Sequence, residues 1–392
     1  MKFLTWVTRF IFWIIDILRY IPLKLTDYFF IGRKISCEDY SLFIIKLDEI
    51  GDYILFRNLL EILANSIRFK DYNITLCGNV IWKEIAEKID FKYINNFVWL
   101  NKNSYVNNIL YRIKTNRMLC EKKFQVVVNA SSSRSFFLDD AIVKIINADK
   151  KVGFSTDLSN LSSWQRVISD KYYNCLIDTD KIAFEFYKNK FLVSKILDEE
   201  VNIYKPSIDC SSLKCNIRIN EKYVAFYLGG RQNYKRWNIE NFVKVAEYIC
   251  QNSLYKIVIL GAYNDLIYSN KFNSLFKQST TIDLTGKTSL IDIIKILSSA
   301  KFLVCNDSGI AHISAAVGAP TVVLLNGTHF GRFFPYPDES ELNVFTIYPD
   351  KITDRMNDID YLKQKYEYRS PLAINMISVD TVKTKIVGML GN

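Results

Sequence analysis

The chain has only two histidines, His312 and His329, in 392 residues, and its eight cysteines form no C-x-x-C pair. A zinc centre needs clustered histidine or cysteine ligands, so this scarcity argues against one. Most of the cysteines lie in apolar runs, which is typical of reduced, packed thiols in a cytoplasmic protein. We therefore expect neither a bound metal nor a disulfide framework.

Several common active-site motifs are also missing. The sequence contains no G-x-G-x-x-G, no Walker lysine loop and no G-x-S-x-G, which argues against dehydrogenases, kinases and α/β-hydrolases. Two Asp-x-Asp segments, Asp178–Asp180 and Asp358–Asp360, follow no clear strand. We interpret both as loop acids and expect no obligatory metal or other cofactor.

The net charge is +10, but the basic residues are spread along the chain. No zinc-finger spacing, aromatic-basic RNA-binding pattern or basic arm accompanies them. The charge therefore favours an anionic membrane surface and phosphorylated substrates as partners, and we expect no nucleic acid.

The sequence near the N-terminus disfavours a helix that crosses the bilayer. The apolar stretch Phe10–Ile15 is bounded by Arg9 and Asp16, whereas a spanning helix needs about 20 apolar residues. The polar residues fall on one side of a helix, and no signal-peptide cleavage site follows. We predict that residues 1–35 form an amphipathic segment in the membrane interface. A spanning helix and a helix packed on the protein's own core remain alternatives.

From Ser41 onward, strand-like apolar runs alternate with helical patterns, which predicts parallel sheets covered by helices. The alternation weakens through residues 189–220, where Lys205-Pro206-Ser207 has linker composition. We predict two doubly wound, Rossmann-like α/β domains, an acceptor-side domain at residues 40–205 and a nucleotide-sugar-binding domain at 215–392. The predicted strands are Ser41–Leu47, Asn73–Cys77, Phe124–Asn129, Tyr223–Leu228, Lys256–Leu260, Thr281–Leu284, Lys301–Cys305 and Thr321–Leu325.

Two strand-to-helix turns carry the most information. In the first, a strand ends at Lys46 and is followed by Gly51-Asp52; in the second, Asp307-Ser308-Gly309 opens a helix rich in small residues. The free N–H groups of such a helix start, here including Ile310, and its partial positive charge favour a phosphate. Helix capping by Asp52, Asp307 or Ser308 is the simpler alternative.

Together and in this order, the two turns resemble glycosyltransferase family 9, the heptosyltransferases that build lipopolysaccharide cores. That family has a strand ending in Lys, an early Gly-Asp, and a late Asp-(Ser/Thr)-Gly-x-x-His-x-x-Ala-Ala before Gly-x-Pro, and this chain fills each position. The resemblance implies the two-domain GT-B fold. It also implies that Asp52 is the base of a single inverting displacement, with Asp48 and Glu49 as weaker rivals.

The resemblance further implies a donor-binding set in the C-terminal domain. Lys235-Arg236-Trp237 resembles the family's Lys-x-Trp, whose lysine meets the phosphates, and Asp265 lies where the family places an acid toward the ribose. His312 either touches the donor phosphate or orients Asp307, or it is only a packed residue. The complete predicted donor-binding set is Lys46, Arg231, Lys235, Arg236, Asp265, Asp307, Ser308, Gly309, Ile310, His312 and Thr328.

The expected function is transfer of a sugar, by resemblance a heptose from ADP-heptose, to a hydroxyl of a lipid-linked or cell-surface saccharide. The expected location is the cytoplasm, peripheral on the inner membrane. A UDP- or GDP-sugar donor stays open. So do two other functions: a catalytically silent nucleotide-sugar- or saccharide-binding protein at the membrane, and a nucleotide-sugar epimerase of GT-B fold. The turn Ser131–Arg134 either binds acceptor phosphates or is only a turn.

Overall fold

A computed structural model describes residues 18, 20–31, 37–156, 158–278 and 281–391. Most of the predicted membrane-interface segment, residues 1–35, lies outside these ranges. None of the helices in the described ranges combines the length and the apolar composition that a membrane crossing requires.

The N-terminal sheet has six parallel strands in the order β3-β2-β1-β4-β5-β6. Its central strands are apolar and buried, with Ile44 of β1 between Leu76 of β2 and Val128 of β4. The strands are β1 (Cys37–Lys46), β2 (Asn73–Asn79), β3 (Asn96–Leu100), β4 (Lys123–Asn129), β5 (Asn147–Phe154) and β6 (Cys175–Ile177). The helices are α1 (Ile50–Ile54), α2 (Asn58–Asn65), α3 (Lys83–Ile85), α4 (Lys102–Asn107), α5 (Ile109–Leu119), α6 (Asp139–Ile145), α7 (Ser163–Ser169) and α8 (Glu185–Leu197).

The C-terminal sheet repeats this arrangement, in the order β12-β11-β10-β7-β8-β9. Cys305 of β10 lies between Tyr227 of β7 and Val323 of β11. The strands are β7 (Tyr223–Tyr227), β8 (Lys256–Leu260), β9 (Thr281–Asp283), β10 (Leu303–Asn306), β11 (Thr321–Leu324) and β12 (Val344–Ile347). The helices are α9 (Ile239–Asn252), α10 (Leu266–Leu275), α11 (Leu290–Ser299), α12 (Gly309–Ala316), α13 (Asp350–Thr353), α14 (Ile359–Tyr366) and α15 (Val379–Leu390).

The predicted pair of Rossmann-like α/β domains is confirmed, because both sheets have the doubly wound order in which the third strand lies at one edge and the sixth at the other. Between Leu197 and Tyr223 the chain forms neither helix nor strand. The sequence pattern missed β3, β5, β6 and β12. All four lie at or next to a sheet edge, and β3, β5 and β12 are largely half-exposed, so they lack the continuous buried run of a central parallel strand. Of the four, only β5 is markedly polar.

The described part of the N-terminal segment is helical over residues 20–28 and packs on the first domain. The Asp27 carboxylate accepts hydrogen bonds from the guanidinium of Arg112 at 2.8 and 2.9 Å and from the amide of Asn116 at 2.9 Å. The Tyr20 ring packs against the rings of Phe136 and Trp164, with centroids 5.5 and 5.8 Å away. One face of this segment is therefore part of the domain. The opposite face exposes Leu18, Ile21, Leu25, Tyr28 and Phe29.

Candidate active site

Each domain has a topological switch point, where two neighbouring central strands lead into connections on opposite sides of the sheet. In the first sheet it lies between β1 and β4, and in the second between β7 and β10. Ligands bind at such points in open α/β sheets, because the loops that leave the strand ends diverge and open a crevice. Both sequence motifs lie at these switch points: Gly51-Asp52 follows β1 and Asp307-Ser308 follows β10.

The two motif helices touch each other across the domain interface. A Cβ atom added to Gly51 would lie 3.3 Å from Gly309 Cα, and one added to Gly309 would lie 3.0 Å from Gly51 N. Only glycine allows this approach at both positions. The structure thus brings the N-termini of α1 and α12 together, although the two motifs are far apart in sequence.

Asp52 lies in the first turn of α1, and its half-buried side chain borders the cleft between the domains. Below it, the ammonium of Lys46 is fully buried, 2.9 Å from the Asp48 carboxylate and 2.8 Å from the carbonyl oxygen of Ala130. The Asp48 carboxylate also accepts a 2.9 Å bond from the Ser131 hydroxyl. Lys46 therefore does not face the cleft, and it lies beneath the turn rather than at a ligand-accessible surface.

The surroundings of Asp52 raise its pKa to about 7. Burial is the largest cause and the Asp48 carboxylate adds to it, while the Lys46 cation opposes them. For Lys46 itself, burial lowers the pKa, but the surrounding carboxylates outweigh burial and raise it above its usual value. The site therefore holds a permanent cation beside a carboxyl group that titrates near neutral pH.

A cross-domain pair that the sequence did not predict, Arg332 and Glu185, lies at the cleft, which Arg332 lines. The guanidinium of Arg332, on the loop after β11, lies 3.0 Å from the carboxylate of Glu185 at the start of α8. The same guanidinium donates to the hydroxyls of Ser132 and Ser133 at 3.0 and 2.8 Å. The loop follows the predicted strand Thr321–Leu325, as Thr328 does, and that position could have drawn attention to it, but nothing local indicates the partner of Arg332.

The donor side is organised around the start of α12. The ammonium of Lys235 lies 2.6 Å from the Asp307 carboxylate. No side chain caps α12, and the Ser308 hydroxyl donates back to the Asn306 carbonyl at 3.2 Å. The backbone N–H groups at Ser308, Gly309 and Ile310 thus face no capping side chain, which is the arrangement that suits an anion.

His312 is a packed residue at the domain contact. Its Nδ1 lies 2.8 Å from the Tyr336 hydroxyl, and its ring stacks on Phe334 with centroids 4.7 Å apart. Its Cδ2 would lie 2.8 Å from a Cβ on Gly51. Burial lowers its pKa to about 4, so the ring is neutral at neutral pH. These contacts favour the packing alternative over a ligand role.

Three other predicted donor-binding residues have protein partners. Arg231 lines the cleft, and its guanidinium lies 2.5 Å from the Glu49 carboxylate of the other domain, which Lys102 also binds. Asp265 accepts hydrogen bonds from the Tyr227 hydroxyl at 3.1 Å and from a backbone N–H at 2.9 Å. The Thr328 hydroxyl oxygen is buried and accepts a 3.1 Å bond from the backbone of Ser370.

Arg236 lies apart from the other predicted residues. Its guanidinium carbon lies 4.5 Å from the centre of the Tyr268 ring on α10. It does not line the cleft. Its predicted contact with the donor phosphates is not supported by this orientation, because the side chain packs along α10 instead.

The cleft has a volume of about 1180 Å³, and residues of both domains line it. Thr179 and Asp180 are among them. The acids of Asp178–Asp180 do lie in a loop, as predicted, but the statement that they follow no strand is wrong, because the segment directly follows strand β6 and borders the cleft. Among the described residues that line the cleft, none comes from α12, whose start packs on Gly51 beside Asp52. The lining residues include Asp48, Asp52, Ser132, Ser133, Lys188, Arg231, His329 and Arg332.

Two Rossmann-like domains that meet at their switch points define the GT-B class of protein. Within that class, the sequence model of glycosyltransferase family 9 (heptosyltransferase) matches residues 112–360, more than half of the chain. The chain therefore belongs to glycosyltransferase family 9, and the resemblance seen in its two turns is confirmed.

Relatives are similar over shorter stretches. A segment of 97 residues is 28% identical to lipooligosaccharide heptosyltransferase 2 of Haemophilus influenzae, covering 24% of this chain and 28% of that protein. Another of 93 residues is 29% identical to lipopolysaccharide heptosyltransferase 2 of Salmonella typhimurium, covering 23% and 26%. The matched segments thus span little more than a quarter of the length of these relatives.

Solved structures are similar over nearly the whole chain. The glycosyl transferase family 9 protein of Veillonella parvula superposes with a TM-score of 0.67 at 18% identity, covering 91% of this chain and 98% of that one. The E. coli heptosyltransferase WaaC with ADP gives 0.64 at 16% identity, covering 88% and 96%. At such identities the likeness establishes the fold.

Proposed function

We propose that the protein is an inverting glycosyltransferase that moves a sugar from a nucleotide-diphosphate donor to a hydroxyl of a lipid-linked or cell-surface saccharide. The observation that carries the proposal is the direct contact between the helix starts of α1 and α12, which sets Asp52 beside an uncapped helix N-terminus. By analogy with the WaaC structures that contain ADP and ADP-2-deoxy-2-fluoro heptose, the donor is ADP-heptose.

In the proposed mechanism Asp52 takes the proton of the acceptor hydroxyl as that oxygen attacks the anomeric carbon. A pKa of about 7 suits a general base at neutral pH, because about half of the Asp52 carboxyl groups are ionised there and the carboxylate still holds a proton well. The departing diphosphate gains charge in the transition state. Lys235 and the N–H groups at the start of α12 stabilise that charge, and Lys235 exchanges Asp307 for phosphate oxygens.

The test is a transfer assay across a panel of ADP-, UDP- and GDP-sugars with membrane extract as acceptor. We expect Asp52→Asn to lower the rate by about 10²- to 10⁴-fold while donor affinity is kept. Asp380→Asn is the matched control, since Asp380 also lies in the first turn of a helix but its side chain is 93% exposed.

Equal rates for Asp52→Asn and wild type would remove Asp52 as the base. Donor binding by the wild type without turnover of any sugar would favour the catalytically silent binding protein. Conversion of a nucleotide sugar without an acceptor would favour the epimerase.

We also propose that the protein works in the cytoplasm, peripheral on the anionic inner membrane. Ile21, Leu25 and Phe29 are spaced four residues apart on one helical face and are 52%, 58% and 72% exposed. Lys24 is exposed on the same segment, whereas Asp27 is buried against Arg112. An apolar stripe accompanied by positive charge suits a lipid surface with anionic headgroups.

Sedimentation with vesicles of phosphatidylcholine, with and without phosphatidylglycerol, tests this location. We expect the wild type to bind the anionic vesicles and Leu25→Ser/Phe29→Ser to bind at least about tenfold more weakly, because two buried apolar side chains are lost. Leu254→Ser removes a 98% exposed leucine elsewhere and should bind normally. Unchanged binding of the double variant, or dimerisation through this face without vesicle binding, would contradict the proposal.

A further inference from the structure

His329 is a cleft-lining residue that the proposed mechanism does not use. It lies on the loop after β11, directly after Thr328, and its backbone has a φ of 59°. Residues other than glycine adopt this left-handed region only rarely, although histidine tolerates it better than most. Such a conformation persists where the surrounding structure enforces it, and it is common at functional sites.

Backbone hydrogen bonds hold the loop in this shape. The N–H of Phe330 donates to the carbonyl oxygens of Gly327 and Tyr366 at 3.2 and 3.3 Å. The N–H of Arg332 donates to the carbonyl oxygen of His329 at 3.0 Å. His329 and Arg332 therefore belong to one turn, which the guanidinium of Arg332 fixes to the first domain.

The ring of His329 has one occupied and one unused nitrogen. Its Nδ1 lies 3.0 Å from the carbonyl oxygen of Glu367. Because a carbonyl oxygen only accepts, Nδ1 carries the hydrogen, and in a neutral ring Nε2 then has the free lone pair. Burial lowers the pKa of His329 and the Arg332 cation adds to this, so the ring is neutral at neutral pH. Within the part of the chain that the structure describes, Nε2 has no hydrogen-bond partner.

His329 is close to both ends of the reaction that we propose. Its loop leaves β11, which pairs with β10 directly before the Asp307 turn. The charges of Lys235 and Asp307 both act on its ring. Arg332, on the same turn, acts in turn on Asp52 within the same cleft. The transferred sugar must connect the diphosphate at the first of these places with the base at the second.

We propose that His329 is a specificity-determining residue for the transferred sugar: its Nε2 accepts a hydrogen bond from a hydroxyl group of the donor's sugar. This inference rests on the proposed function and adds the group that recognises the sugar itself. Lys235 and the start of α12 hold the diphosphate, which all nucleotide-diphosphate donors share. A sugar with no hydroxyl in reach leaves the imidazole nitrogen unsatisfied, so His329 discriminates between sugars.

The experiment is a calorimetric titration of the full chain with ADP-heptose and, separately, with ADP. His329→Asn can keep the bond to Glu367, because the asparagine amide nitrogen stands at the same bond distance from Cβ as Nδ1. Asparagine also tolerates the left-handed backbone, but it places no atom at Nε2. Glutamine places its amide at the Nε2 position, so His329→Gln is the rescue variant.

We expect His329→Asn to bind ADP-heptose about 3- to 10-fold more weakly than the wild type and to bind ADP equally well. His329→Gln should recover most of the ADP-heptose affinity. If the wild type prefers a UDP- or GDP-sugar, that sugar and its nucleoside diphosphate take the place of the two ligands. Circular dichroism verifies folding, and should the glutamine variant fail to fold, the ratio of the two affinities in His329→Asn still decides.

A purely structural role predicts either no change in His329→Asn or an equal loss for ADP-heptose and ADP, and both results would overturn the inference. A higher KM for the saccharide acceptor with unchanged ADP-heptose affinity would also overturn it, because the hydroxyl would then belong to the acceptor. In each of these cases the wild type still binds its donor and the proposed function stands. A wild type that binds no nucleotide sugar of the panel would instead remove the proposed function, and this inference with it.

Discussion

Gly51→Ala tests whether the contact between the two helix starts matters for the reaction. The added methyl group would lie 2.8 Å from Cδ2 of His312 and 3.3 Å from Cα of Gly309, whereas carbon atoms pack best at about 3.5–4.0 Å. His312 cannot retreat easily, because Tyr336 binds its Nδ1 and Phe334 stacks on its ring. The interface must therefore open by about 0.7 Å to reach ordinary carbon contact.

The size of the effect follows from that displacement. A misplacement of about 1 Å between reacting groups costs about 100-fold in rate, so we expect kcat/KM to fall by about 10- to 100-fold. Stability should change much less. Overpacking costs about 1–3 kcal/mol, while replacing a helical glycine by alanine returns about 0.5–1 kcal/mol.

The assay measures kcat/KM for donor and acceptor together with the melting temperature by calorimetry. Gly388→Ala is the matched control, because Gly388 lies within α15 and a Cβ there would meet no atom within 4 Å. The control should keep full activity and melt slightly higher. A Gly51→Ala protein with wild-type kcat/KM would show that the two helix starts need not touch during transfer, and would contradict an active site assembled by that contact.

Four further predictions follow from individual groups. Below about pH 7 the transfer rate should fall tenfold per pH unit, as Asp52 takes up its proton, and a flat profile would exclude it as the base. Because the pKa of Asp52 is raised on folding, its favourable contribution to stability is present at low pH and lost as pH rises toward 7; Asp52→Asn should therefore raise the melting temperature at pH 8 but not at pH 4. Lys235→Ala should weaken donor binding by about tenfold or more in calorimetric titration, since it removes a charged hydrogen bond to the diphosphate. Asp27→Ala leaves Arg112 buried without its anion and should cost about 3–5 kcal/mol in urea unfolding, whereas Lys24→Ala should cost little.

Local pattern alone predicted most of the fold. Central strands of parallel sheets are continuous apolar runs, so β1, β4, β8, β10 and β11 stood out, and their alternation with helices indicated two Rossmann-like domains. The positions of Asp52 and Ser308 followed from the same logic, because carboxyl ends of parallel strands meet at one edge of a sheet. A strand end and a helix start each depend on a few neighbouring residues. Both can therefore be predicted from the local sequence.

The tertiary structure decided the pairings between the domains. Arg332 and Glu185 are 147 residues apart, and Arg231 and Glu49 are 182 apart, so neither ion pair leaves a periodic signal in the chain. The orientation of a long side chain is equally non-local: Arg236 packs on Tyr268 because α10 offers a ring there. Such partners depend on how the two folded domains, or two elements within a domain, pack against each other. That packing is determined by the shapes and charges of the surfaces in contact, which the spacing of residues in the sequence does not show.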